Sequence, residues 1–211
     1  MNLKKITLYD EPTFPEIKIS DLATFIKDNF SVDVVIKDNF FLNLNKSEIN
    51  SLTKTRIFDI YKERKSYEPE KHTTDFEERL CKNSLIMEKT TKIEDAENIS
   101  EVVMYDGFEM QKFLRNQIRD TVNDTLHIVF TNRLTCTFDE SDSRYHGRAV
   151  ICSNPAIIST TGIIEAPAKS KEFYIQAMAN KSQGLGINSV KELHKGEFLE
   201  YHDERLAKII E

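Results

Sequence analysis

Tyr145, His146 and Arg148 stand within four residues of one another, and the acidic run Asp139-Glu140-Ser141-Asp142 comes just before them. These are the residue types that move protons, hold metal ions and bind anions. His146 and Arg148 are two apart, so on a strand they point to the same face. A cation beside a histidine keeps the ring neutral, as a general base or a metal ligand requires. The plain alternative is a histidine that caps a strand and bonds a loop carbonyl. Asp139, Asp142 and His146 could place oxygen and nitrogen ligands around one ion. They do not follow the calcium-loop pattern, which needs alternating Asp, a central Gly and a terminal Glu, and the plain alternative is a polar hairpin tip.

Other constellations are thinner. None of the five histidines has another at i+4, so the HExxH pairing of two ligands and a base on one helix turn is absent. His194 and His202 lie among Glu197, Glu200, Asp203 and Glu204; His202 and Asp203 could join a metal site, though a charged helical surface reads the same way. His72, among acidic neighbours, reads as a solvated surface histidine. Ser159-Thr160-Thr161-Gly162 offers hydroxyls and amides to an anion but lacks the Lys and glycine spacing of a phosphate loop. Its hydroxyls would equally satisfy local backbone. No GxSxG elbow exists, and Cys136 and Cys152 sit in strand-like surroundings, where a thiol is inert.

The elements that must position these groups follow from the apolar pattern. Ile6–Tyr9, Val32–Ile36, Val102–Tyr105, Leu126–Thr131 and Arg148–Cys152 read as strands, expected in one mixed sheet. Leu126–Thr131 is expected at its centre, because a continuous apolar run suits a strand covered on both faces. Between the first two strands, Leu22, Phe25, Ile26 and Phe30 fall at helical spacing behind Ser20 as N-cap, giving a strand–helix–strand crossover with parallel strands. Ser47 is the expected cap of a helix striped by Ile49, Leu52, Ile57, Ile60 and Tyr61. Residues 66–100 form a polar excursion in which Phe76 and Leu80 suggest one or two helical turns. Phe108, Met110, Phe113, Leu114 and Ile118 line a further helix, and Asn123-Asp124 a turn. A helix runs past Tyr174 to Met178, Gly184 and Gly186 break it, and helical fragments close the chain.

Composition bounds the rest. The 211 residues are 39% hydrophobic and 30% charged, enough for a real core in a single α/β domain spanning residues 1–211. A net charge of −6 with mixed basic and acidic residues leaves no nucleic-acid footprint and no basic membrane patch. Three scattered cysteines suit reduced thiols in the cytoplasm. The start has no apolar leader, and no run is long enough to span a bilayer.

Several stretches together resemble an uncharacterised archaeal family whose members are labelled metallopeptidases: Thr125–Leu134, the DESDSRYHGRAVICS block, and ISTTGIIEAPAKSKEFY, with LYDEP at Leu8–Pro12 and MYDGFEMQ at Met104–Gln111. The resemblance covers most of the chain, and its most specific parts are STTG and EAPAK. It implies a zincin-like fold, a twisted mixed β-sheet with packed helices, and a hydrolase acting on peptides. The missing HExxH departs from that label. Family members run on past the position of Glu211 into a helix and a segment with a Cys pair and a His, so a C-terminal segment is expected to be lacking and any metal site incomplete; a zinc cofactor stays open, with no four-ligand site expected within residues 1–211. The expected site has His146 as ligand or base, Glu165 as acid/base, Tyr145 beside them, and Arg133, Arg148, Ser159, Thr160 and Thr161 binding a peptide or small anionic ligand. Arg133, His146, Arg148 and Glu165 are expected to converge, with an Arg–Glu ion pair among them. The alternative is a non-enzymatic binding or regulatory protein that keeps the fold.

Overall fold

The computed structural model describes residues 3–11, 14–63, 68–82, 103–118 and 124–210. Strand β1 (Lys5–Tyr9), helix α1 (Ile19–Phe30) and strand β2 (Asp33–Lys37) form the expected crossover. The two strands are parallel, with Lys5 opposite Asp33 and Tyr9 opposite Lys37. Ile19, Leu22, Ala23 and Ile26 make the buried face of α1 and pack on Ile6, Leu8, Val34 and Phe130. The cap differs from expectation: Lys18 is the N-cap without a side-chain bond, and the Ser20 hydroxyl turns to Asp21 instead.

Helix α2 (Lys46–Thr53) is capped by Asn45 rather than Ser47. The Asn45 side chain accepts from the Glu48 amide while the Glu48 carboxylate accepts from the Asn45 amide, a reciprocal box worth about 1 kcal/mol. The helix is also shorter than its apolar stripe suggested. Both the amide and the hydroxyl of Thr55 fold back onto the Leu52 carbonyl, and Ile57 falls in the short strand β3 (Arg56–Ile57). Helix α3 (Lys71–Lys82) runs three turns where one or two were expected. Residues 66–67 and 83–100 of the polar excursion lie outside the described residues, as do Val102 and Asn123.

Strand β4 (Met104–Asp106) passes directly into α4 (Gly107–Gln117), because the Asp106 carboxylate accepts from the amides of Phe108 and Glu109. Met110, Phe113, Leu114 and Ile118 are buried as expected, but Phe108 faces solvent.

The strands form two sheets, not one. Strand β5 (Thr125–Thr131) is central in a five-stranded sheet of order β2-β1-β5-β9-β8, where β9 is Ala156–Ser159 and β8 is Val150–Ile151. All of its pairings are parallel except β8 with β9. The second sheet, of order β3-β4-β6-β7, contains β6 (Leu134–Asp139) and β7 (Arg144–Arg148). Strands β3, β7 and β9 were not expected; β6 was anticipated only as the strand-like surroundings of Cys136 before a hairpin tip, and the single strand expected over Arg148–Cys152 is split between the sheets. The chain changes sheet at Ala149, whose carbonyl accepts from the Ser159 amide. Gly162 presses on this point: a Cβ there would lie 2.4 Å from the Arg148 carbonyl oxygen, so no larger residue fits. A second short change of sheet, from β5 to β6, is the two-residue link Asn132-Arg133.

The five-stranded sheet is covered on both faces, α1 on one and α2, α3 and α4 on the other, with Tyr9, Val129 and Ile157 packed toward Phe41, Leu52, Met110 and Leu114. After β9 come α5 (Thr160–Glu165), α6 (Lys171–Ser182), α7 (Asn188–Leu193) and α8 (Leu206–Ile210).

Candidate functional site

Two clusters of ionisable residues stand at the two ends of β6, one closed to solvent and one open to it.

The closed cluster is built on the link between β5 and β6. This link has left one sheet and not yet joined the other, so its carbonyls have no ladder partners. The first turn of α5 supplies them. The hydroxyls of Thr160, Thr161 and Ser159 donate to the carbonyls of Thr131, Asn132 and Arg133 at 3.0, 2.5 and 2.7 Å. All three hydroxyls are therefore turned inward onto backbone and are buried.

The Arg133 side chain enters the core at this link, with 2% of its surface exposed. Its Nη1 donates to both oxygens of Glu11, at 2.9 and 3.1 Å. Its Nε and Nη2 donate to Glu77 Oε1, at 3.1 and 3.0 Å. Both carboxylates are fully buried. The Glu77 oxygen left over accepts from the Tyr105 hydroxyl at 2.6 Å, and Glu11 Oε2 from the Thr131 hydroxyl at 2.7 Å and the Asn132 amide at 3.1 Å. The Phe41 ring lies 4.0 Å under the guanidinium and Cys81 Sγ 3.4 Å from Nη2. Burial alone would favour a neutral Arg133, but the charges of Glu11 and Glu77 hold its pKa well above the usual value. Burial and the Glu77 charge push the Tyr105 hydroxyl up, and burial pushes the Cys81 thiol up to about 12. The groups of this cluster are bonded to one another and buried, so the cluster fastens β1, α3 and the sheet junction together.

The expected Arg–Glu ion pair thus exists with other glutamates. Glu165 is exposed and accepts from the Tyr201 hydroxyl at 2.9 Å. Arg133 takes Glu11 and Glu77 because a buried guanidinium must neutralise against carboxylates that are buried with it. The four residues expected to converge are divided among three places. Glu77 was missed although its signal is visible: on α3 it occupies the inward stripe with Thr73, Leu80 and Cys81.

The open cluster lies on the β6–β7 hairpin. Antiparallel pairing sets Asp139 opposite Arg144, Thr137 opposite His146 and Thr135 opposite Arg148, so Arg144, His146 and Arg148 share a face. His146 Nε2 lies 2.9 and 3.1 Å from the Asp142 oxygens. Arg144 Nε sits 2.7 Å from Asp142 Oδ2 and donates to His146 Nε2 at 3.4 Å. Arg148 Nε donates to the Thr137 hydroxyl at 2.9 Å. Asp139 accepts from the Ser141 amide and hydroxyl, which hold its carboxyl below the ordinary value. Partial desolvation works to raise the Asp142 pKa, but His146 and Arg144 outweigh it and hold the carboxyl low. Tyr145 does not join them. As the strand neighbour of His146 it points to the opposite face, where it is buried against Phe138 and donates to Asp106 at 2.8 Å.

One donor atom each from Asp139, Asp142 and His146 lies within 4.8 Å of the others, and among the described residues no other group of three such ligands comes together. The fit to a divalent ion is good in number and chemistry, two carboxylate oxygens and an imidazole nitrogen. Arg144, half exposed, is the rival cation already in place. The other histidines are engaged elsewhere. His194 sits between Glu197 and Gln176 against Phe173, His202 faces Glu16 with Asp203 held by Arg205, and His72 is exposed beside Glu70. The sulfurs of Cys81 and Cys136 are buried and that of Cys152 exposed, all as free thiols.

Among the described residues, no helix is long and apolar enough to cross a membrane. Residues 2–211 match the model of a family described as "Probable metallopeptidase family (DUF6775)", and the chain belongs to that family. Neither a curated protein nor a solved structure matches it.

Proposed function

Starting from that membership, we propose that the chain is a metal-dependent hydrolase of peptide bonds, archaeal and zincin-like in build, whose ion is held on the β6–β7 hairpin by Asp139, Asp142 and His146. The observation that carries this is the meeting of those three donors on one face. Three protein ligands with a remaining position for water is the composition of catalytic zinc sites. The sequence contains no HExxH, so a zincin helix does not supply the ligands. When bound, the ion supplies an acidified water and a Lewis acid for a carbonyl. Arg148, on the same face, binds a peptide carboxylate, and Arg144 screens the two aspartates while the ion is away. Tyr145, Arg133, Ser159, Thr160 and Thr161 form the frame behind the hairpin. Glu165 keeps its Tyr201 partner and stands outside this site. The unpaired thiols suit a cytoplasmic setting.

The test begins with protein purified without chelator. Zinc or manganese titrated calorimetrically is expected to bind at one ion per chain, to be lost in Asp142→Asn and His146→Ala, and to persist in Glu165→Gln. Cleavage of an unbiased peptide mixture, read by mass spectrometry, is expected to follow metal content. Metal binding unchanged in both hairpin variants would end the proposal. The position of Arg144 favours a second reading, a binding protein whose His146–Asp142 pair is compensated without an ion. On that reading the wild type takes up no metal and a peptide carboxylate binds through Arg144 and Arg148.

A further inference from the structure

Strand β2 is the outer strand of the five-stranded sheet, at the edge opposite β8. Among the described residues its one strand neighbour is β1. Edge strands are normally blunted by charge, proline or a bulge, because their unpaired amides and carbonyls template another strand. The sequence of β2 is Asp33-Val34-Val35-Ile36-Lys37, apolar in its three central positions. Val35 is 39% exposed and Ile36 46%. Phe30, which ends the helix covering the Val34 face, is 63% exposed. An apolar edge of this kind is a pairing surface rather than a solvated one.

We propose that β2 pairs with β2 of a second copy of this chain, antiparallel and centred on Val35, joining two five-stranded sheets into one. The strand's own pattern selects this partner and this register. The Asp33 amide donates to the Lys4 carbonyl and the Lys37 carbonyl accepts from the Asp10 amide, so odd-numbered residues of β2 turn their backbone groups toward β1. By the strand period of two, Val34 and Ile36 turn theirs outward. An antiparallel ladder centred on Val35 sets Val34 of one copy against Ile36 of the other. These outward groups then exchange both hydrogen bonds, twice over. Val35 meets its own copy in a pair without hydrogen bonds, where Cα atoms approach to about 4.5 Å.

The charges agree with the same register. Asp33 of each copy falls opposite Lys37 of the other, also in a close pair without hydrogen bonds, so two ion pairs of opposite sign close the ends of the ladder. A shift by one residue would turn the inward backbone groups against the partner, and a parallel pairing in register would set Asp33 against Asp33. The pairing leaves the β6–β7 hairpin open, because that hairpin belongs to the other sheet.

Sedimentation velocity over a range of concentrations tests this on the intact chain. The wild type is expected to pass from monomer to dimer. Asp33→Lys and Lys37→Asp each place like charges at both ends of the ladder and are expected to weaken the dimer by about tenfold or more. An equimolar mixture of the two single variants puts every Lys opposite an Asp and is expected to dimerise again, as is the double variant alone. Far-UV circular dichroism checks that each variant is folded. A wild type that stays monomeric at all concentrations overturns the proposal. So does a dimer indifferent to both charge reversals, or a mixture and a double variant that both remain monomeric while folded.

Discussion

The two ends of β6 carry nearly the same chemistry and put it to opposite uses. At one end Arg133 meets two carboxylates shielded from solvent, with hydrogen bonds supplied from within the core. At the other, Arg144 and His146 meet Asp142 on a hairpin open to solvent. Desolvation separates them. A buried ion pair cannot exchange its partners for water, so it fixes geometry and is unavailable to a ligand. An exposed pair contributes little to stability and can give up a partner to an incoming ion or carboxylate. Residue type alone does not tell a structural cluster from a binding one.

The largest expected effect lies in the closed cluster. Arg133→Met leaves two uncompensated buried carboxylates and is expected to cost about 3–5 kcal/mol in urea unfolding. Adding Glu11→Gln and Glu77→Gln to it should recover part of that loss, because the orphaned charges go. If Arg133→Met unfolded like the wild type, the contrast between the clusters would be broken. Tyr105→Phe is next: it removes the donor to Glu77 Oε2 and is expected to cost about 1–3 kcal/mol.

Thiol titration sharpens the comparison further. In the native protein Cys152 is expected to react readily, while Cys81 beside Arg133 and Cys136 within β6 wait for unfolding. Burial pushes both of their pKa values up to about 12. The folded state holds these protons more tightly than the unfolded chain. The stability they contribute is therefore complete below about pH 9 and declines as pH rises toward 12. Equal labelling rates for all three thiols at pH 8 would contradict it.

The smallest structural effect is expected on the hairpin. His146→Ala should leave the urea midpoint unchanged while abolishing metal uptake. The lowered Asp142 carboxyl adds its small contribution above the ordinary carboxylate range and loses it as pH falls through its folded value, so acid titration of the hairpin should move the urea midpoint only slightly. A hairpin variant as destabilising as Arg133→Met would erase the distinction.

The sequence by itself determined the local units and the central strand. The β1–α1–β2 crossover, the apolar run at the centre of the sheet and the helix after β4 are set by periodicity, which acts between near neighbours in the chain. It also brought Asp139, Asp142 and His146 together, because one short hairpin holds all three. Only the tertiary structure decided that there are two sheets, that Arg133 takes Glu11 and Glu77 from 122 and 56 positions away, and that Tyr145 turns from His146 into the core. A two-residue link and a glycine that admits a close approach at Ala149 move the chain between sheets, and neither leaves a periodic trace. Partner choice in a buried ion cluster depends on which carboxylates lose their water together, a property of the packed core and not of spacing along the chain.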